Sequence, residues 1–151
     1  MGRGGCFAAT YDDGSSCYNA TGNVLVHGGF KVRDGVNRSH AHNLVIGATL
    51  ANPQIAGFDS TTLVENVAVN SNGDFYECVG DAFGGGTVAA NNAFYTPGNP
   101  KLPFRQGCAG GSGGTLAAWQ ANGGNYDAGS TISANVTTAQ LLQWARLRLG
   151  L

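Results

Sequence analysis

Two short acidic segments contain the residue types from which a sugar-cleaving site is built. Asp12 and Asp13 follow Tyr11 in the first segment, and Asp34 lies in the second, 22 positions after Asp12. If neighbouring strands repeat at that period, the two carboxyl groups lie roughly one strand spacing apart, about 4.7–4.9 Å. Retaining glycosidases hold their two carboxyl groups about 5–5.5 Å apart, so the spacing predicts that chemistry.

The alternation of side chains along a strand decides which acid faces a substrate. Asp12 and Asp13 are neighbours and point to opposite faces, so only one of them is expected to pair with Asp34. The 22-residue step favours Asp12, with Asp13 as the second choice. Lys31 and Arg33 share one face, where they would keep a carboxylate ionised or bind an acidic sugar. Both segments also have the composition of ordinary turns, in which the aspartates would have no catalytic role.

A recurring asparagine marks the elements that would position these acids. Short apolar runs begin at Asn23, Asn43, Asn66 and Asn92, in steps of 20, 23 and 26 residues. Short apolar runs bounded by glycine, asparagine or serine are typical of strands. Because no helical pattern separates them, the steps predict the stacked coils of a parallel β-solenoid. The asparagine side chains would form a ladder along the stack, or serve only as turn residues.

We predict one domain over residues 1–151. Its coils cover about residues 6–96, an irregular segment covers 97–114, and a C-terminal cap covers 115–151. The clearest helix spans 138–150, with Thr137 or Thr138 as N-cap and Gly150 after its last turn. Its predicted apolar face consists of Leu141, Leu142, Ala145 and Leu149. This helix is expected to cap the last coil.

Charge and cysteine content limit the classes of partner and compartment. The chain has 8 basic and 9 acidic residues and a net charge of −1, so we expect neither nucleic acid nor a membrane as partner. The four cysteines, an even number, allow two disulfides. Glycosylation sequons begin at Asn19, Asn37 and Asn135. Together these features favour a secreted glycoprotein. The cysteines are Cys6, Cys17, Cys78 and Cys108.

The first residues show no apolar leader, and strand-like sequence begins at Cys6. We therefore expect the chain to start in mid-fold, as the C-terminal portion of a longer protein. A first coil without a cap exposes apolar core and open strand edges, so self-association through that coil is expected.

The sequence resembles right-handed parallel β-helix proteins of the pectate-lyase-like superfamily, and more narrowly the β-helical glycoside hydrolases that include β-xylosidases and fucosidases. The resemblance is most specific around residues 11 to 38. The residues that carry it are Asp12-Asp13-Gly14-Ser15-Ser16, Asn19, Gly28-Gly29-Phe30-Lys31-Val32-Arg33-Asp34-Gly35 and Asn37-Arg38. A weaker C-terminal likeness rests on Trp119-Gln120, Asp127, Gly129-Ser130 and Trp144-Ala145.

The resemblance implies a retaining hydrolase acting on glycosides derived from plant or algal polysaccharides. In such enzymes the acid of the first motif is the nucleophile, and a glutamate in the second is the acid/base. Here Asp34 stands at the glutamate position, and Cys17 stands where the family has asparagine. The implied catalytic residues are thus Asp12, Asp13 and Asp34. The predicted substrate-binding residues are Tyr11, His27, Lys31, Arg33 and Arg38.

Two alternatives remain open. A polysaccharide lyase would use Lys31 or Arg33 as its base and often calcium, whereas a non-catalytic β-helix would act as an adhesin or a self-associating structural protein. We predict no cofactor and no metal site, although a loop acid such as Glu65 would suit calcium. His40 and His42 have a spacing that metals use, but we predict a structural role. Sugar-stacking or core roles are open for Tyr11, Phe30, Phe58, Tyr76, Phe83 and Trp119.

Overall fold

Two parallel β-sheets and two helices form the part of the protein that the computed structural model describes, residues 7–11, 16–71, 74–76, 86–98, 114–121 and 126–151. The chain is therefore β-rich and ends in a helix, as the sequence predicts. The first sheet contains β1 (Phe7–Tyr11), β2 (Asn19–Thr21), β4 (Gly29–Ala41), β6 (Ala51–Val64) and β8 (Val88–Ala90). The second sheet contains β3 (Val24–Val26), β5 (Leu44–Ile46), β7 (Val67–Val69), β9 (Ala93–Tyr95) and β10 (Thr131–Ser133).

The chain passes repeatedly from the first sheet to the second, and each passage adds a parallel strand to both. In the second sheet the strands follow the order β3, β5, β7, β9 and β10, so sequence order and spatial order coincide. The first four of these strands begin directly after Asn23, Asn43, Asn66 and Asn92. The asparagine period thus identifies the repeat correctly.

Residues of both sheets meet in one hydrophobic cluster. The register aligns Leu25, Val45, Ala68 and Phe94 in one row of the second sheet. All four belong to the cluster or pack against it, and Val45, Ala68 and Phe94 are fully buried. Burying a side chain of valine or phenylalanine size contributes about 1.5–3 kcal/mol, so such rows supply much of the stability. The first sheet contributes Ala20, Phe30, Val32, Ala51, Leu63 and Ala89.

A ladder of asparagine side chains runs along the stack. The side-chain amide of Asn23 donates to Asn43 Oδ1 at 2.9 Å, Asn43 to Asn66 at 3.0 Å, and Asn66 to Asn92 at 3.1 Å. Each receiving oxygen also accepts the backbone N–H of the preceding asparagine. Because Asn43, Asn66 and Asn92 are buried, these bonds satisfy polar groups that water cannot reach. The ladder that the sequence allowed is present.

Gly29, the first residue of β4, cannot carry a side chain. A Cβ at this position would clash with the carbonyl oxygen of Thr49. The backbone fixes the position of both atoms, so no rotamer change relieves the contact. Glycine is therefore required where β4 approaches the segment leading into β6.

The predicted C-terminal helix is present. Helix α2 spans Thr138–Leu149, and a shorter helix, α1, spans Leu116–Gln120. The side chain of Thr137 accepts from the backbone of Gln140, whose own side chain accepts from the Thr137 backbone N–H. This capping box and Gly150 in the left-handed conformation (φ 71°) explain where α2 begins and ends.

Helix α2 packs against the second sheet along its side. It contacts β3 and β5, Trp144 lies 5.2 Å from Tyr95 between ring centroids, and Arg148 Nε donates to the His42 carbonyl at 2.7 Å. These contacts reach from β9 back to the first strands of the sheet, and are not confined to the last repeat. The predicted apolar face is wrong in part, because Leu142 and Leu149 are exposed.

Candidate functional site

The acidic segments flank the pairing of β1 with β4. Ala9, Thr10 and Tyr11 align with Phe30, Lys31 and Val32 in a parallel register. The described register ends there, one residue before Asp12. Asp12 and Asp13 lie outside the described residues, and Asp34 is described as a backbone position in β4 without its side chain. The separation of the carboxyl groups stays a prediction.

The register differs from the expected one by one residue. Tyr11 aligns with Val32 and Thr10 with Lys31, which is an offset of 21 residues. Phe7 aligns with Gly29 at an offset of 22, and an irregularity between Phe7 and Ala9 removes one residue. The 22-residue step therefore holds only at the start of β1.

Two cationic side chains lie on the outward side of β4, as their alternation predicts. Val32 is buried, Arg33 is exposed, and Lys31 is half-buried. The register places Thr10 and Asn52 on either side of Lys31, and Gln54 beside Arg33. A row of polar and basic positions therefore crosses β1, β4 and β6 next to the acidic segments. Tyr11, another predicted binding residue, pairs through its backbone with Val32.

Arg38 is buried, although the sequence placed it among the substrate-binding residues. It is 1% exposed, its Nε donates to Thr61 Oγ1 at 3.2 Å, and its NH1 group donates to the Arg33 carbonyl at 2.9 Å. The pairing of β4 with β6 shifts twice between Arg33 and Arg38. The buried guanidinium thus links the two ends of this irregular stretch, and its evident contribution is to hold the backbone that contains Asp34.

The three histidines occupy different environments. His27 is exposed with a positive φ of 58°, and a Cβ on Gly47 would lie 2.8 Å from its Nδ1. His42 is also exposed, and its Nδ1 lies 3.1 Å from Glu65 Oε2. His40 is fully buried, with its ring 4.4 Å from that of Phe30. His40 and His42 therefore do not share a face, which is against a common metal ion.

Burial changes the protonation of His40. It occupies the row of the first sheet that also contains Ala20, Leu63 and Ala89. Burial, and secondarily the positive charge of Arg38, lower the pKa of His40 from 6.5 to about 4. The imidazole is therefore neutral in the folded protein at neutral pH.

A second cluster of polar side chains, which the sequence did not reveal, surrounds Asp127. Its Oδ1 accepts from Asn92 Nδ2 at 2.9 Å, Ser130 Oγ at 2.8 Å and Tyr76 OH at 3.3 Å, and its Oδ2 accepts from Trp119 Nε1 at 2.8 Å. Asp127 is fully buried, and burial raises its pKa, while the hydrogen bonds from these donors lower it. Tyr76 and Trp119 are buried and stack on each other, and Phe30 is also buried, so these aromatic residues have core roles.

Asp127 accepts the last side-chain amide of the asparagine ladder, while Ser130, directly before β10, accepts the Asn92 backbone N–H at 2.7 Å. The Asn92 amide donates to Asp127 just as each earlier asparagine donates to its successor. The step from Asn92 to Asp127 is 35 residues, well beyond the earlier steps. Asn99, Asn122 and Asn125 stand between Asn92 and Asp127, so the spacing of the ladder gave no signal for Asp127.

The remaining site predictions concern metals, disulfides and glycans. No group of three or more histidine, cysteine, aspartate or glutamate residues suited to a metal occurs among the described residues. Cys17 is exposed and its thiol is free, so a framework of two disulfides using all four cysteines is not formed. Asn19, Asn37 and Asn135 are all exposed, as glycan attachment requires. None of the described helices is long and apolar enough to cross a membrane.

Comparison with known proteins adds no relative: no protein-family model, no curated protein and no solved structure matches this chain. The resemblance to β-helical glycoside hydrolases thus remains a prediction based on the motifs themselves.

Proposed function

We propose that this chain is a right-handed parallel β-helix with a retaining glycoside hydrolase site beside the pairing of β1 with β4. The observation that carries the proposal is the parallel register of these strands up to Tyr11 and Val32. We extend that register beyond Tyr11, which would align the segment containing Asp12 and Asp13 with the segment containing Asp34. Strands in register lie about 4.7–4.9 Å apart, which suits the carboxyl pair of a retaining enzyme.

The measured offset changes the preferred nucleophile. Counting 21 residues back from Asp34 leads to Asp13, whereas the same count from Arg33 leads to Asp12. We therefore assign the nucleophile to Asp13 and the acid/base role to Asp34, with Asp12 beside the guanidinium of Arg33. In the reaction, Asp13 attacks the anomeric carbon while Asp34 protonates the leaving oxygen, and Asp34 then activates water.

The outward row that contains Lys31 and Arg33 supports binding of an oligosaccharide. Lys31 and Arg33 provide cationic donors, and Thr10, Asn52 and Gln54 occupy the neighbouring positions of the register. Donors of this kind bind sugar hydroxyls, and the two cations favour an acidic sugar. The substrate class is a plant or algal polysaccharide, and the protein works outside the cell, with exposed sequons at Asn19, Asn37 and Asn135.

The test compares three isosteric variants in the hydrolysis of aryl β-xylosides and α-fucosides. Asp13→Asn and Asp34→Asn are each expected to lower kcat by at least about 10²-fold, whereas Asp12→Asn, the matched control, changes it by less than about tenfold. The anomer released first, followed by NMR, should retain the configuration of the substrate. Equal losses in all three variants, or an inverted product, would overturn the assignment, and the absence of turnover on both substrate classes would overturn the proposed activity.

The outward placement of the half-buried Lys31 and the exposed Arg33 favours one alternative, a polysaccharide lyase in which one of them removes the proton α to a uronate carboxyl group. Such an enzyme releases unsaturated products that absorb in the near ultraviolet. It would lose activity on Lys31→Met or Arg33→Met substitution and keep it in Asp13→Asn. The same variant set therefore separates the two chemistries.

A further inference from the structure

The part of β4 that contains Asp34 lies opposite a bulge. Between two successive pairs of the register, β4 advances by two residues and β6 by five, and these pairs are Arg33 with Gln54 and Gly35 with Asp59. The backbone of Asp34 lies between the two pairs, so the regular ladder of β4 and β6 does not extend through it. Bulges of this kind re-aim side chains and are common next to active sites.

Hydroxyl groups hold the residues that follow Asp34. The N–H of Val36 donates to Ser16 Oγ at 3.0 Å, and the N–H of Asn37 donates to Ser60 Oγ at 2.7 Å. Ser16 follows the two aspartates of the first acidic segment, and Ser60 belongs to β6. The irregular stretch is thus held by side chains from the chain segments on both of its sides.

The guanidinium of Arg38 holds the backbone on the other side of Asp34. Its NH1 group donates at 2.9 Å to the carbonyl of Arg33, which belongs to the peptide group whose nitrogen is that of Asp34. Its Nε donates to Thr61 Oγ1 at 3.2 Å, which fixes the guanidinium against β6. Because Arg38 is 1% exposed, water does not compete for these bonds. The rigid fork of the arginine therefore sets the orientation of the peptide plane next to Asp34.

We propose that Arg38 is the positioning residue of the acid/base Asp34, an inference that rests on the proposed hydrolase site. A general acid must lie within hydrogen-bond reach of the leaving oxygen, about 2.6–3.2 Å, so rotation of the peptide next to Asp34 would take the carboxyl group out of reach. Arg38 is buried and acts through the backbone of Asp34, whereas the nucleophile Asp13 belongs to a separate segment of the chain. Arg38 therefore serves the protonation of the leaving group and not the attack of the nucleophile.

The test measures kcat/KM, which reports the glycosylation step, on two aryl glycosides that share the sugar and differ in the leaving group. A dinitrophenolate is a weak base that leaves without protonation, whereas a methoxyphenolate requires the general acid. Arg38→Met is expected to lower kcat/KM at least about tenfold on the methoxyphenyl glycoside and less than about threefold on the dinitrophenyl glycoside. Circular dichroism and thermal melting verify that the variant folds.

Two further variants separate positioning from stability. Arg38→Lys keeps the charge and much of the buried stem, so it is the milder substitution should Arg38→Met unfold. An ammonium group does not reproduce the fork, and the same selective loss is expected. Leu63→Ala is the control, because Leu63 is equally buried, lies on β6 and offers no hydrogen-bond donor. It should lower the melting temperature and leave the ratio of the two kcat/KM values unchanged.

The outcomes distinguish this inference from the activity on which it rests. Equal losses on both glycosides, or an unchanged ratio in a folded Arg38 variant, would overturn the positioning role and leave the hydrolase proposal intact. A wild-type protein that hydrolyses neither glycoside would overturn the hydrolase proposal and the positioning role with it.

Discussion

The two ends of the asparagine ladder are built differently. At one end, the amide of Asn92 donates to the fully buried carboxylate of Asp127, which also accepts from Ser130, Tyr76 and Trp119. At the other end, Asn23 is exposed, and nothing in the described part of the chain donates to its Oδ1. One end is enclosed by a polar network, and the other meets solvent.

The direction of the ladder explains this difference. Every side-chain amide donates to the next asparagine along the chain, so the last position must accept and has no successor to which it could donate. A carboxylate accepts only, and Asp127 uses one oxygen for Asn92 and the other for the indole N–H of Trp119. The first position needs a donor, which water supplies at an exposed site. We therefore expect the structure to open first near Asn23 and last near Asp127.

The largest expected effect is that of Asp127→Ala. The change leaves the Asn92, Ser130 and Trp119 donors buried without an acceptor, and it places alanine at a φ of 56°. Unsatisfied buried groups cost about 1–3 kcal/mol each, so a loss of roughly 3–5 kcal/mol in unfolding free energy is expected. Urea denaturation followed by tryptophan fluorescence measures it.

Asp127→Asn keeps the shape of the side chain and reduces the number of hydrogen bonds that it can accept. Asparagine fits the same space and tolerates positive φ, but one of its two side-chain atoms is a donor that would face another donor. We expect a loss of about 2 kcal/mol, smaller than for alanine. Thr131→Ala, at an exposed neighbouring position, is the control. If Asp127→Asn had the same unfolding free energy as the wild type, this end of the ladder would not need a residue that only accepts hydrogen bonds, and our explanation would be refuted.

Acid is expected to act in opposite directions on the repeat that contains His40 and on the Asp127 end of the ladder. The pKa of His40 falls from 6.5 in the unfolded chain to about 4 in the fold, so the stability it provides is complete above pH 6.5 and is lost as the pH drops towards 4. Asp127 has a raised pKa, so its contribution is present at low pH and is lost as the pH rises through the folded pKa. Acidification therefore weakens the repeat that contains His40 and does not weaken the Asp127 end.

The measurement compares unfolding free energies between pH 7 and pH 4.5. A pKa shift of 2.5 units at His40 changes the unfolding free energy by at most roughly 3 kcal/mol over this range. His40→Leu should remove this dependence of stability on pH. His27→Leu, at an exposed histidine, should keep the wild-type slope. Equal slopes in the wild type and in His40→Leu would show that other groups cause the acid sensitivity.

The repeat could be predicted because its signals are local. Each asparagine stands directly before an apolar run, and the strands β3, β5, β7 and β9 begin at the following residue. Helix α2 was predictable for the same reason, since Thr137 and Gly150 mark its ends. The asparagine period does not predict the long strands β4 and β6, whose shifted pairing incorporates turn-like residues such as Gly35.

The buried polar residues outside the asparagine ladder could not be predicted, because their partners are distant in sequence. Arg38 depends on Thr61, 23 residues away, and Asp127 on Tyr76, 51 residues away. His40 has polar neighbours in sequence, and only the stacking of strands puts it between Ala20 and Leu63. At the candidate site, the outward placement of Lys31 and Arg33 followed from alternation. The one-residue change of register between β1 and β4 could not be predicted from alternation, because it arises from an irregularity inside β1.

The smallest expected effect belongs to the exposed end of the ladder. Asn23→Ala removes one side-chain hydrogen bond to Asn43, but the backbone N–H of Asn23 still donates to the same oxygen at 3.0 Å. Because water reaches the site, we expect a loss below about 1 kcal/mol. Asn66→Ala, the matched internal change, removes bonds to both neighbouring asparagines and to the His40 carbonyl and should cost several times more. Equal losses at both positions in urea denaturation would mean that the ladder is uniformly stable, and the proposed opening from the Asn23 end would have to be abandoned.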